Sequence, residues 1–205
     1  MVAIIGAYFV FVGVGIRQEN TLITKYRNDP ERKQYVEFIE RNKKDLASHP
    51  DKAKKVSATM DMGLQWYVLH EYTSAVQWWE KGLKLRADNS IGWYNLGNAY
   101  RELKNYPKSE SAYRKSIQYA DQNELDGCLA LGELYHYNYT EKSFEEPQVY
   151  LSCLQKFSNN RDLIARLAIY YRDIGDKEKA TQYFDRLWSI EPSVDVSEEL
   201  RKLRM

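Results

Sequence analysis

Few side chains in this sequence have the type needed for reactive chemistry, and their spacing decides what is open to them. Histidines stand at positions 49, 70 and 136. His70-Glu71 begins like a zinc-protease helix, but Ser74 occupies the place where that motif needs a second imidazole on the same face. His49 precedes a proline and His136 lies in an aromatic run, so both read as surface or turn residues. Cys128 and Cys153 are too few for a four-ligand zinc site. Glycines occur singly, without the clustered glycines of a phosphate loop. With no nucleophile beside a base and no paired carboxylates, the expectation is a non-enzyme with no catalytic residue, metal or cofactor.

The charge balance narrows the partners. The 205 residues carry 30 basic and 29 acidic side chains, a formal net charge of +1, so no strong field favours nucleic acid or an acidic small substrate. Aromatics make up 14% of the chain, and tyrosine alone accounts for 17 residues. That abundance needs a packing explanation, which the periodicity supplies.

The clearest unit spans residues 90–123. Trp93, Leu96, Gly97 and Tyr100 fall at i, i+3, i+4 and i+7, one face of an α-helix, and Ser109, Tyr113, Ser116 and Ile117 repeat the pattern after a short turn. Gly97 and Ser109 are small where two helices must approach, while the large residues fill the space around that contact. About 34 residues upstream, Met62-Gly63, Trp66, Leu69, Tyr72, Ala75, Trp79 and Gly82-Leu83 stand in the same register. Downstream, Leu131-Gly132, Tyr135, Tyr150, Cys153 and Leu154 follow with a turn about two residues longer. Leu167-Ala168, Tyr171, Ala180, Phe184, Leu187-Trp188 and Pro192 complete the series.

This recurrence of small and large residues resembles the tetratricopeptide repeat (TPR). The resemblance implies an all-α, right-handed superhelical solenoid of about four helix-turn-helix repeats, at 56–89, 90–123, 125–160 and 161–194, within a repeat domain at 51–194. A capping helix at 195–205 would cover the last repeat. It also implies that the first helix of each repeat lines a concave groove for a protein or peptide. Met60, Leu64 and Tyr67, then Tyr94, Asn95, Asn98 and Arg101, then Leu129, Glu133 and His136, and finally Ala165, Ile169 and Arg172 are the positions carried over. Members that clamp an acidic tail use lysine and asparagine on adjacent repeats; here Met60 and Leu64 stand at the first pair, so apolar anchors with polar flanks are expected instead. Antiparallel pairing in the third repeat would bring Cys128 near Cys153, leaving two readings: two small close-packed residues or a disulfide.

The ends complete the picture. Residues 2–16 are apolar and uncharged, about 15 residues where a full span needs roughly 20. The expectation is an uncleaved single-pass membrane anchor at 1–17, with a removed signal peptide as alternative because Gly13 and Gly15 are spaced like a weak cleavage site. Arg17, Lys25 and Arg27 argue for cytoplasmic repeats, but a basic segment lost upstream would reverse that, and extracytoplasmic repeats are favoured. Residues 18–28 read as a polar spacer, within a linker and N-terminal helix at 18–50; Asp29-Pro30 opens that helix, which runs to about Ala47. The function expected is a membrane-tethered scaffold that recruits a partner protein. The alternatives are a secreted or periplasmic assembly factor, and an accessory to an enzyme complex.

Overall fold

The computed structural model describes residues 18–48, 50–122 and 124–205, and among them all regular structure is helical. The chain forms two compact units that divide after Ala87.

The first unit holds α1 (18–27), α2 (Lys33–Ser48), α3 (Lys52–Val68) and α4 (Tyr72–Leu85). Asp51 caps α3 by accepting from the Ala53 amide at 2.8 Å. Trp79 of α4 lies over Gly63 of α3, so a Cβ at that position would collide with the indole. Residues 18–27 are helix, not spacer. Glu19, Ile23 and Tyr26, at i, i+4 and i+7, form the buried stripe of α1. Glu19 accepts from Trp78 Nε1 and from Lys43 Nζ, both at 2.9 Å, and Tyr26 donates to Glu71 at 2.6 Å. These distant partners are what let a glutamate occupy the buried face.

The expected single-pass membrane localisation is corrected. Among the described residues, no helix is long and apolar enough to cross a membrane. The apolar stretch 2–16 on which that expectation rested lies outside the described residues.

The second unit is built from three hairpins and a closing helix: α5 (Ser90–Glu102) with α6 (Tyr106–Tyr119), α7 (Asp126–Glu133) with α8 (Glu146–Lys156), α9 (Arg161–Asp173) with α10 (Lys177–Ile190), and α11 (Val194–Arg204). Each helix packs against the next in the chain, and α5 also touches α7, the neighbour relation of a stacked repeat. Within α5 and α6, Ser109 Oγ donates to the Gly97 carbonyl at 2.9 Å and Tyr113 covers Gly97. Tyr150 covers Gly132 in the same way between α7 and α8. At the end of the unit, α11 buries Val196 and Leu200 against Ile164, Ala168, Phe184 and Leu187. That removes apolar flank from water at about 25 cal/mol per Å².

Three of the four hairpins close alike. His70, Lys104 and Gly175 adopt left-handed φ of 60°, 57° and 78°. In each case this residue donates to a carbonyl three back and its successor to one five back, as in Glu71 to Trp66, Asn105 to Tyr100 and Asp176 to Tyr171, each at 2.8 or 2.9 Å. The paired bonds satisfy helix-end carbonyls that would otherwise be left over. The α7–α8 connection departs from this: α7 continues as a π-helical turn, Leu134–Asn138, followed by a 3-10 helix, Thr140–Glu145.

Candidate functional site

The widened third hairpin is held by charge. Lys142 Nζ donates to Glu110 of α6 at 2.8 Å, and Arg114 of α6 donates to Glu110 at 3.0 Å and to the Tyr135 hydroxyl at 2.9 Å, with Glu145 at 3.4 Å. Burial works against the charge on Glu110, but hydrogen bonds from Lys142, Tyr135 and Arg114 together outweigh it and hold its carboxyl below the usual range. Burial pushes the Tyr135 phenol well above its ordinary value, so it stays neutral. A disulfide joins Cys128 of α7 to Cys153 of α8, with Cα atoms 6.3 Å apart at a sequence separation of 25.

Behind this turn lies a cavity of about 70 Å³ lined by Glu133, His136, Tyr137, Glu146, Tyr150, Arg166, Ile169, Tyr170 and Asp173. Arg166 of α9 donates to Glu133 of α7 at 2.5 Å and so bridges the two first helices. His136 Nδ1 meets a Glu146 carboxylate oxygen at 2.9 Å. Glu146 is only 5% exposed, and that burial raises its carboxyl pKa, with His136 and Arg166 opposing and Asp173 reinforcing the shift. The Tyr150 hydroxyl is buried and has no hydrogen-bond partner among the protein atoms. Ile169, 39% exposed, and Tyr137, 65% exposed, form an apolar lip.

The positions carried over from the sequence resemblance fare differently. Glu133, His136 and Ile169 converge on the cavity. Asn98 is committed within its own hairpin, accepting from the Tyr113 hydroxyl at 2.7 Å. Tyr94 leans on the Tyr113 ring at 6.2 Å between centroids, and Leu129 packs on the core, each half-buried. Asn95 and Arg101 are half-buried, Arg101 with Glu102 at 3.8 Å. Arg172 is turned to Asp173 at 2.8 Å and to Glu199 of α11 at 3.3 Å. In the first unit Leu64 is exposed, Tyr67 packs in tilted ring contacts with Tyr72 and Trp79, and the Met60 thioether packs beside Gly82 of α4, inside the hairpin.

Glu146, Tyr150, Arg166 and Asp173 were not foreseen as site residues. One signal was available: Glu133 stands in the third repeat where Asn98 stands in the second, so the partner of the covering tyrosine changes from an amide to a carboxylate. Among the described residues no three His, Cys, Asp or Glu side chains converge as metal ligands.

Comparison with known proteins agrees with this architecture. Residues 90–123 match the tetratricopeptide repeat family model. The crystal structure of MamA superposes with a TM-score of 0.59 at 17% identity, covering 80% of this chain and 89% of that one. A tetratricopeptide repeat protein from Parabacteroides merdae gives 0.61 at 17% identity over 90% of this chain and 71% of that one. YrrB, described as a TPR protein with an unusual peptide-binding site, gives 0.53 at 16% identity over 82% and 81%. No curated protein matches the sequence. The repeat family is thus supported by one matched repeat and by the fold of these structures.

Proposed function

We propose that this chain is a non-enzymatic interaction scaffold, with TPR repeats at 56–89, 90–123, 125–160 and 161–194, and that the first-helix face of its second unit holds a protein or peptide partner. The observation that carries the reading is a row at i, i+4 and i+7 on each first helix that packing only partly consumes. On α5 these are Tyr94, Asn98 and Arg101; from α7 into the π turn, Leu129, Glu133 and His136; on α9, Ala165, Ile169 and Arg172; all are half-buried or exposed. Side chains with one apolar face and a polar tip, on rigid neighbouring helices, suit a bound segment that brings its own backbone groups. The peptide-binding site named for YrrB lends the same direction to the reading.

The test is affinity purification with crosslinking, comparing wild type with Tyr94→Ala/Asn95→Arg. Asn98 is unsuitable for this purpose because it accepts from the Tyr113 hydroxyl, so its loss would disturb the hairpin as well as the face. The double variant keeps the helical circular dichroism of wild type and loses the captured partner. Unchanged capture moves the site off this face.

A further inference from the structure

The third hairpin carries a built polar pocket that shares Glu133, His136 and Ile169 with the proposed partner face. Tyr150 lines it, and the hydroxyl of that residue is buried and unpartnered. The equivalent Tyr113 is satisfied by Asn98, but Glu133 at the matching position is drawn away by Arg166. An unmade hydrogen bond in a buried site is a standing cost, recovered when a ligand supplies the missing partner. The lining carries three carboxylates, Glu133, Glu146 and Asp173, against Arg166 and His136. Arg172 also pairs with Asp173, so with a neutral imidazole the site keeps an excess of one negative charge.

We propose that this pocket receives a lysine side chain of the bound partner. The ammonium donates to Tyr150 Oη and to the Glu146 carboxylate, and the aliphatic stem lies along Ile169 and the Tyr137 ring. A carboxylate ligand would face the three acids. An arginine would need a flat fork of partners, whereas about 70 Å³ suits a compact ammonium with three donors. The inference rests on reading this face as the partner site and names the chemistry it selects.

The experiment uses the full chain and n-butylammonium as a stand-in for the lysine side chain, with butyrate and N-butylacetamide as acidic and neutral counterparts, followed through the amide resonances of Gly132 and Ile169. The ammonium gives saturable shifts tighter than either counterpart. Glu146→Gln weakens it about tenfold and Tyr150→Phe about threefold. Tyr150→Phe also raises the melting temperature of the free protein, and the stabilisation that saturating n-butylammonium gives wild type shrinks in this variant, which a purely structural tyrosine would not show. Equal or tighter binding of butyrate, absence of saturable shifts, or indifference to both variants overturns the proposal. If the ammonium fails while Tyr94→Ala/Asn95→Arg still abolishes capture, the lysine pocket falls and the partner face stands. If capture survives that double variant while the ammonium binds, the reverse holds.

Discussion

The second and third hairpins of the second unit set a tyrosine over a glycine in the same way and then diverge. In α5–α6 the Tyr113 hydroxyl finds Asn98 and the turn closes tightly through Lys104. In α7–α8 the Tyr150 hydroxyl finds nothing, the first helix widens into a π turn, and an acidic, half-open cavity lies beside it. One hairpin satisfies its covering tyrosine internally; its neighbour leaves that hydroxyl unpaired. A π-helical widening inside an otherwise regular helix often marks a functional position, because the looser turn re-aims the side chains that follow. Here it carries His136 and Tyr137, which line the cavity. The disulfide and the Glu110, Arg114 and Lys142 network brace the same hairpin.

The contrast can be broken at four points. Reducing the Cys128–Cys153 bond opens a loop of 25 positions and lowers unfolding free energy by about 3 kcal/mol in denaturant titrations with and without dithiothreitol. A loss well under 1 kcal/mol would show that the third hairpin needs no staple. The two tyrosines respond with opposite signs. Tyr113→Phe costs about 1 kcal/mol by leaving Asn98 without its donor, and Tyr150→Phe gains about 1 kcal/mol by removing an unsatisfied buried hydroxyl. Equal signs would erase the distinction.

A smaller effect follows from Glu146, which faces His136 from the π turn, Tyr150 on its own helix, and Arg166 and Asp173 from α9, with Glu133 across the cavity. Burial raises its folded-state carboxyl above the ordinary value of 4.5, so between that value and the raised one the folded protein holds more protons than the unfolded chain. Stability therefore falls as pH rises through that window. Glu146→Gln removes the dependence, and its thermal stability relative to wild type improves from pH 4.5 upward before levelling off. A flat difference across the series contradicts the burial of charge. Smallest is Lys104→Gly, which relieves a left-handed residue in the tight turn and adds about 0.5 kcal/mol, while no comparable gain is available in the π turn.

The period of the repeats was legible because close packing writes it directly: a Cβ at Gly97 or Gly132 meets a tyrosine ring, so small and large residues must alternate in step. Helix α1 was not legible, since Glu19 in its buried stripe looks polar until Trp78 and Lys43 are brought to it by folding. The third turn announced its extra length, but nothing local in Tyr135-His136-Tyr137 separates a π turn from a loop. Asn98 illustrates the same limit at the site. Helical spacing puts it on the proposed partner face, and only the folded pair of helices reveals that Tyr113 has already claimed it.

The bridge from Cys128 to Cys153 also encloses the whole π and 3-10 stretch within a covalent ring. A protease that nicks the backbone between those cysteines leaves two fragments linked through sulfur, which migrate as one species until a thiol separates them. The segment that shapes the acidic cavity can thus suffer a cut without the chain coming apart.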